Sequence, residues 1–273
     1  MIIAQLSDLH ICAPEKLAYR QVDTASALRA AIAHVNSLSI RPDLVLLTGD
    51  LTDHGESDEY IYLSSILKDL TCPFRLMPGN HDNRENMRHV FQDFSYLGTT
   101  NSARMSFVVE CGDLTIIALD TLIAGSDAGN IGEEQLEWFE QQLKLTCDKK
   151  VLVAMHHPPV STGISHMDRQ GLLDTSSFRA IVSANPQICR IVTGHIHRPA
   201  CAQFAGALVT IAPSVAHQVV LDFTSNAPSC FTMEPGGYLL HAFLQADEAV
   251  THYVSIGEWA GPYPFFQNGK IIR

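Results

Sequence analysis

Five stretches of the chain share one pattern, in which a run of apolar residues is followed at once by side chains that commonly bind metals. The apolar runs are rich in branched residues, which predicts strands buried on both faces. Ligands of open α/β sheets bind beyond the carboxyl ends of the strands, so these side chains are predicted to meet at one edge. The stretches are IIAQLSDLH (Asp8, His10), DLVLLTGDLTDHG (Asp50), FRLMPGNHD (Asn80, His81, Asp82), VLVAMHHPP (His156, His157) and RIVTGHIH (His195, His197).

This set contains carboxylate, imidazole and amide oxygen ligands and no thiolate. Such donors suit borderline divalent or trivalent metals such as iron, manganese, zinc or cobalt. Seven protein ligands are too many for one ion and enough for two if a carboxylate is shared. We expect Asp50 to be the shared ligand, because it follows a central strand between the other ligand-bearing ends. The seven ligands are Asp8, His10, Asp50, Asn80, His156, His195 and His197.

A pair of such metals can cleave phosphate esters. Two ions about 3.5–4 Å apart bind a phosphoryl oxygen and lower the pKa of a bridging water, which then attacks phosphorus. His81 cannot easily face the same metal as Asn80, so we expect it to donate a hydrogen bond to the phosphate or a proton to the leaving group. Asp82 is expected to orient His81 or an adjacent ligand.

Four other histidines lie in or near the expected site. His157 is predicted to be structural, because its neighbour already fills the ligand position and the following prolines fix the turn. His217 either lines the substrate pocket or forms a hydrogen bond in the core. His54 and His166 lie in loops near the expected mouth, where they could contact substrate.

The elements between these stretches predict an α/β fold. A strand, helix, strand, helix, strand order predicts a parallel sheet with right-handed crossovers. Two later strands that are separated by Gly112-Asp113 predict a hairpin, which adds an antiparallel section. The helices are predicted over about 22–38, 57–70, 133–145 and 176–184, and the strands over about 1–7, 44–47, 73–77, 105–111 and 114–120.

Nothing in the sequence divides the chain. Its 273 residues, 46% of them apolar, are within the range of single α/β domains and can fill a sizeable core. We find no repeat or low-complexity linker, so we predict one domain over residues 1–273. The tail over 259–273 is too apolar to stay in solvent, and we expect it to pack on the body or on a partner subunit. Loops 11–22, 52–58 and 160–172 follow ligand-bearing strands and are expected to shape the pocket.

Charge and cysteine usage narrow the class of protein. The net charge of −11 disfavours binding in a nucleic-acid groove, which requires basic surface. Seven scattered cysteines, without any C-x-x-C pair, indicate neither a thiolate zinc site nor a disulfide framework, so a reducing cytoplasm is expected. The amino terminus enters a strand without a preceding basic region, which predicts no cleavable signal. No apolar run approaches the roughly 18 residues of a membrane span.

The order D-x-H, G-D, G-N-H-D, H-H-P and G-H-x-H over residues 8–197 resembles the metallophosphoesterase (calcineurin-like phosphoesterase) superfamily. The D-L-H and M-P-G-N-H-D forms, His217-Gln218 and the A-G-P-Y tail are similar to class III cyclic nucleotide phosphodiesterases and bacterial glycerophosphodiesterases. The resemblance implies a four-layer α/β/β/α sandwich with two mixed sheets, and a homo-oligomer. It further implies two metal sites that share Asp50: one with Asp8, His10 and His197, the other with Asn80, His156 and His195.

One departure from the superfamily bears on the substrate. Its protein phosphatases carry G-D-x-x-D-R-G, whose arginine helps to hold a doubly charged phosphate monoester. Here His54 replaces that arginine, and Pro78 and Asp82 depart from the R-G-N-H-E motif of the same enzymes. Because fewer fixed cations are present than a dianion requires, we expect a singly charged phosphodiester to be preferred.

The sequence therefore predicts a cytoplasmic, dinuclear metal phosphodiesterase that acts on small diesters by attack of a metal-bridging hydroxide. Cyclic nucleotides such as cyclic AMP, or glycerophosphodiesters, are the expected substrates. Asp50 and His81 are the expected catalytic residues, and Asn80, His81 and His217 are expected to bind substrate. The alternatives are a phosphomonoesterase or nucleotidase on the same site, a metal-free scaffold of the same fold, and a DNA nuclease. The complete ligand set disfavours the scaffold, and the acidic charge disfavours the nuclease.

Overall fold

The structure, a computed structural model, describes residues 1–98, 103–245 and 248–272. The helices are α1 (Thr24–Asn36), α2 (Ser57–Leu67), α3 (Arg84–Val90), α4 (Glu133–Leu145), α5 (Ser165–Asp168) and α6 (Thr175–Ala184). The strands are β1 (Ile2–Leu6), β2 (Leu44–Thr48), β3 (Phe74–Met77), β4 (Phe107–Cys111), β5 (Leu114–Leu119), β6 (Lys150–Met155), β7 (Ile188–Thr193), β8 (Ala200–Phe204), β9 (Ala207–Ile211), β10 (Gln218–Val219), β11 (Phe231–Thr232), β12 (Gly237–Gln245), β13 (Glu248–Ser255), β14 (Phe266–Gln267) and β15 (Lys270–Ile271).

Two large mixed sheets form the body of the molecule. The first has the order β13-β12-β1-β2-β3, in which β1, β2 and β3 are parallel and β12 joins β1 antiparallel. The second has the order β4-β5-β6-β7-β9-β8, with antiparallel strands at both edges and four parallel strands between them. The parallel parts arise from the crossovers that the sequence predicts, and the β4–β5 hairpin is the predicted antiparallel section.

Three apolar cores hold four layers together. Helices α1, α2 and α3 pack on the outer face of the first sheet, and α4 and α6 pack on the outer face of the second. A third core joins the two sheets face to face through residues such as Ile3, Leu46, Ile116 and Val192. The α/β class and the α/β/β/α order are therefore confirmed.

Most element bounds follow from local signals in the sequence. Helix α4 has the predicted bounds, and α1 begins after Asp23, whose carboxylate accepts a hydrogen bond from the backbone N–H of Ser26 at 2.9 Å. Helix α3 is an addition, because the segment from Asn83 onward is too polar to show apolar periodicity. Asn83 caps it by accepting from the N–H groups of Glu85 and Asn86. Part of that segment, residues 99–102, lies outside the described residues.

The carboxyl-terminal tail exposes its aromatic side chains in the single chain. Strands β14 and β15 form a two-stranded hairpin, and Trp259, Tyr263 and Phe265 are 64%, 76% and 83% exposed. These three side chains are largely exposed rather than buried against the body. Among the described residues, no helix is long and apolar enough to cross a membrane.

Candidate metal centre

The seven predicted ligands lie together at one edge of the sandwich. Asp8 and His10 follow β1, Asp50 follows β2 and Asn80 follows β3, all in the first sheet. The second sheet supplies the rest, since His156 follows β6, and His195 and His197 follow β7. Six of the seven are buried, and Asn80 is partly exposed. The carboxyl ends of these strands therefore meet at one edge, as the sequence predicts.

The first group of donors consists of Asp8, His10, Asp50 and His197. The Nε2 atoms of His10 and His197 are 3.0 Å apart, and His197 Nε2 is 3.4 Å from Asp8 Oδ1. His10 Nε2 is 3.6 Å from Asp50 Oδ2. These four side chains form one of the groups that could hold a metal ion.

The second group consists of Asp50, Asn80, His156 and His195. Asn80 Oδ1 is 3.1 Å from His156 Nε2 and 3.0 Å from His195 Nδ1. His156 Nε2 is in turn 3.4 Å from Asp50 Oδ2. The same carboxylate oxygen therefore faces both groups, which is the arrangement of a shared ligand.

The spacing of these donors fits metal coordination. Nitrogen and oxygen ligands lie about 2.0–2.2 Å from a zinc-like ion, so adjacent ligands in a tetrahedral or octahedral shell are about 2.8–3.6 Å apart. The separations of 3.0–3.6 Å within both groups fall in this range. Each group can accommodate a single ion without moving its donors far.

Hydrogen bonds on the far side of two histidines aim their Nε2 atoms at the centre. His156 Nδ1 lies 2.8 Å from the carbonyl oxygen of Thr48, to which it must donate. His10 Nδ1 lies 2.9 Å from Asp53 Oδ1. Both contacts place a proton on Nδ1 and turn Nε2 toward the centre, as in the carboxylate–histidine–metal arrangement. Burial would lower the pKa of His156, but Asp50 and Asp8 raise it to about 9, so a metal would displace a proton from its Nε2.

The donors differ in their ionisation states. Burial lowers the pKa of His195 to about 3 and that of His197 well below its usual value, so both imidazoles are neutral. Burial opposes ionisation of Asp50, but His156 and His81 outweigh it and hold the pKa of this carboxyl well below its usual range. Burial raises the pKa of Asp8 to about 6. A bound cation would favour the charged form of both carboxylates.

The backbone at the centre is strained. Five of the seven ligands adopt left-handed φ values that side-chain-bearing residues rarely take: Asp8 (53°), His10 (45°), Asp50 (48°), His195 (70°) and His197 (50°). Such conformations cost about 1–3 kcal/mol each and cluster at functional sites. The left-handed backbone conformation directs each of these side chains toward the centre directly after its strand ends.

Two glycines make room behind the ligands. Gly49 has φ of +92°, and a Cβ there would overlap the ring of His156. A Cβ on Gly79 would overlap the backbone nitrogen and Oδ1 of Asp50. The G-D and G-N motifs thus contain glycine because the ligands of both sheets approach the chain too closely for any larger residue.

Asp82 stabilises the loops around the centre and does not orient the ring of His81. Its carboxylate accepts from the backbone N–H of Leu51 (3.1 Å) and Gly79 (2.8 Å) and from the hydroxyl of Tyr60 (2.8 Å). These bonds join the turn after β3 to the turn that carries Asp50. Of the two roles predicted for Asp82, the geometry matches support of an adjacent ligand.

His81 points one nitrogen into the cavity. Its Nδ1 lies 2.8 Å from the carbonyl oxygen of Asp53 and donates to it, which leaves Nε2 available. Its backbone N–H donates to Asp50 Oδ1 at 2.9 Å, so this carboxylate keeps Oδ2 for the two donor groups. Burial alone would lower the pKa of His81, but Asp50 and Asp53 raise it.

The other four histidines differ in their surroundings. Both ring nitrogens of His157 have protein partners, Thr121 Oγ1 at 2.7 Å and the Asp127 carbonyl at 3.1 Å. His217 lines the cavity, and burial lowers its pKa to about 4. His54 is bound to Glu59, and His166 is buried in α5 rather than in a loop.

A cavity of about 420 Å³ opens above the two donor groups. Loop 11–22 contributes Tyr19, and loop 160–172 contributes Met167 and Gln170, as predicted. The segment around Phe231 also lines the cavity, and its ring centroid lies 5.1 Å from that of Tyr19 and 5.3 Å from that of His217. No motif marks this segment in the sequence. Asp53, which holds His10, could have been recognised as the second acidic residue of G-D-L-T-D.

A second cavity, of about 510 Å³, meets the first at Asn80 and His81. Its wall includes Arg84, whose guanidinium is bound to Asp120 through contacts of 2.6 and 2.8 Å. His54 lies on this wall, away from the main cavity, so loop 52–58 shapes the second cavity instead. The centre is therefore flanked by open space on two sides.

The family model described as calcineurin-like phosphoesterase matches residues 1–199. The chain belongs to this family, as the order of its motifs, its two-sheet fold and its paired donor groups indicate. The zebrafish (Danio rerio) dimetal phosphatase, a solved structure, has the same fold: it aligns with a TM-score of 0.70 at 13% identity over 94% of this chain and 97% of its own.

Two curated relatives are more similar in sequence. The probable glycerophosphodiester phosphodiesterase GpdQ of Arcobacter nitrofigilis is 40% identical over 274 residues, which cover 100% of both chains. The 3',5'-cyclic adenosine monophosphate phosphodiesterase CpdA of Pseudomonas aeruginosa is 30% identical over 72% of this chain and 70% of its own. The predicted superfamily and its nearest classes are confirmed.

Replacement of Gly79 by alanine should weaken the centre, because the new methyl group displaces Asp50, the shared ligand. We expect the affinity for manganese, measured by titration calorimetry, to fall by about 10- to 100-fold. Gly112→Ala is the matched control, since nothing lies within 4 Å of a Cβ in the β4–β5 turn. It should lose stability through its positive φ and keep its metal affinity. Equal manganese binding by Gly79→Ala and the unaltered chain would contradict this reading.

Proposed function

We propose that the chain is a metal-dependent phosphodiesterase that hydrolyses small phosphodiesters, either cyclic nucleotides such as cyclic AMP or glycerophosphodiesters. The observation that carries the proposal is the sharing of Asp50 Oδ2 by two donor groups at the floor of an open cavity. The relatives whose names specify glycerophosphodiester and cyclic nucleotide phosphodiesterases support the substrate class.

One metal site would consist of Asp8, His10, Asp50 and His197. The other would consist of Asp50, Asn80, His156 and His195. Iron, manganese, zinc and cobalt all suit these nitrogen and oxygen donors. When bound, two such ions supply Lewis-acid activation of the phosphoryl group and a water of lowered pKa.

The protein itself contributes orientation and a proton. The amide of Asn80 and Nε2 of His81 border the cavity beside both donor groups, where they can bind the phosphoryl oxygens of a substrate. His81 Nδ1 is fixed on the Asp53 carbonyl, so a proton on Nε2 is directed into the cavity. We assign to this Nε2 the protonation of the leaving alkoxide. His217, with the rings of Tyr19 and Phe231, forms an aromatic wall for one ester group.

The two cavities favour a diester over a monoester. A diester has a substituent on each side of phosphorus, and open space lies on both sides of Asn80 and His81. Arg84, on the wall of the second cavity, is already paired with Asp120 and so offers no unpaired charge to a dianion. This arrangement agrees with the replacement of the phosphatase arginine by His54.

The complete donor set and its strained backbone disfavour the metal-free scaffold, because strain of this kind is retained where it serves a function. All seven cysteines are free, which supports the proposed cytoplasmic location.

We further propose that residues 1–273 form one domain and that the exposed aromatic tail contacts a second copy of the chain. If light scattering shows a monomer at micromolar concentration, the proposed contact between the tail and a second copy is wrong.

The choice between diester and monoester can be tested with two aryl substrates at equal manganese loading. We expect a higher kcat/KM for bis(4-nitrophenyl) phosphate than for 4-nitrophenyl phosphate, because Arg84 beside the centre is already paired with Asp120. Faster turnover of the monoester would favour the phosphatase alternative. Absence of both turnover and bound metal would favour the scaffold.

The role of His81 can be tested through the leaving group. A proton is needed by the alkoxide of glycerophosphocholine far more than by nitrophenolate, which leaves unaided. For His81→Ala we expect kcat to fall by about 10²–10⁴ with glycerophosphocholine and much less with the bis-aryl ester. His89→Ala, on the exposed side of α3, is the control and should change neither rate. An equal loss of kcat on both substrates would show that His81 binds the phosphate and does not protonate the leaving group.

A further inference from the structure

A third cavity, of about 460 Å³, lies away from the metal centre, between the edges of the two sheets. It is lined by residues from β7, β8 and β9 of the second sheet and from β12 and β13 of the first. None of the residues that the structure describes lines both this cavity and the catalytic cavity. Whatever binds in it would therefore not compete directly with substrate.

Among the described residues that line this cavity, Arg190 on β7 is the one charged side chain, and it is only 4% exposed. Its Nη2 donates to the carbonyl oxygen of Ala249 on β13 at 2.8 Å, which spans the gap between the sheets. Its Nε has no hydrogen-bond partner, and no described residue forms an ion pair with it. A guanidinium has five N–H donors, and the buried Nε–H is available to a ligand.

An unpaired charge at this depth is costly. Burial lowers the pKa of Arg190, yet a guanidinium remains protonated in proteins. Buried charges are normally paired, because desolvation of a lone ion costs several kcal/mol. A second polar group lies nearby without a partner, since Thr210 Oγ1 is buried and forms no hydrogen bond. Arg190 pairs with Leu208 in the β7–β9 register, so Arg190, Leu208 and Thr210 share one face.

The remaining wall is mostly apolar. Leu208, Leu239, Val250 and the ring of Tyr253 surround the space in front of Arg190. A cation at the base of an apolar cavity of this size matches a ligand with one anionic group and a hydrocarbon body. A bare inorganic anion would satisfy the arginine and leave the apolar wall in contact with water.

We propose that this cavity is a second ligand site, which binds a small organic carboxylate through Arg190 and holds its apolar body against Leu208, Leu239 and Val250. Binding pairs the guanidinium with a carboxylate, for which its planar fork is suited. The site is independent of the metal centre and of the proposed hydrolysis.

Three exposed cysteines make the proposal testable in the intact, manganese-loaded protein. Cys201 lines the third cavity, Cys230 lines the catalytic cavity, and Cys147 lies in neither. The rate of modification of each thiol by a soluble alkylating reagent can be followed by peptide mass spectrometry, with octanoate as the probe. At about ten times the dissociation constant, we expect Cys201 to react about tenfold more slowly, and Cys147 and Cys230 to be unaffected.

Matched probes and variants identify the contacts. Octanol, which has the body without the charge, and acetate, which has the charge without the body, should give much weaker protection of Cys201. Arg190→Gln should abolish protection by octanoate, whereas Arg41→Gln, at an exposed position, should retain it. Val250→Trp, at a position 40% exposed on the cavity rim, should reduce protection while Arg190 remains in place.

Several results would overturn the proposal. Protection of Cys230 in place of Cys201 would show that the carboxylate binds at the metal centre only. Equal protection by octanol would show that Arg190 has no part in binding. Undiminished protection in a folded Arg190→Gln variant would lead to the same conclusion.

Discussion

The structure depends on a single carboxylate oxygen, Asp50 Oδ2, facing donor groups that come from two different sheets. Such sharing requires the sheets to be fixed relative to each other within a fraction of an ångström. Directly beneath the centre, the amide of Gln5 on β1 donates both to Thr48 Oγ1 and to the carbonyl of Thr193 on β7. His156 crosses the same gap to the carbonyl of Thr48. Polar ties between the sheets thus complement the apolar core that joins them, and they lie where positional precision matters most.

The same constraint explains the backbone at the centre. Ligands from β1, β2 and β7 must turn inward directly after their strands, and five of them do so through left-handed φ values. The glycines before Asp50 and Asn80 allow the loops to approach within contact distance. The cost of this strain is offset elsewhere, by the three apolar cores and by the loop network around Asp82. Stability and chemistry therefore compete locally, as they commonly do at functional sites.

The sequence predicts what is locally encoded, and it fails where three-dimensional context decides. Strand ends are visible as apolar runs, so the positions of Asp8, Asp50 and His195 could be predicted from a simple rule about parallel sheets. Helix α3 could not, because its short polar sequence owes its conformation to the Asn83 cap and to packing. The aromatic wall around Phe231 comes from a segment with no periodicity or motif. Arg190 is a similar case, since only the folded sheets reveal that this strand arginine has a buried Nε without a hydrogen-bond partner.

The most direct test of the shared carboxylate is anomalous diffraction from crystals grown with manganese. The account predicts two anomalous peaks about 3.5–4 Å apart, with Asp50 Oδ2 within coordinating distance of both. His10 and His197 should contact one peak, and His156 and His195 the other. A single peak, or two peaks of which only one touches Asp50, would contradict the account.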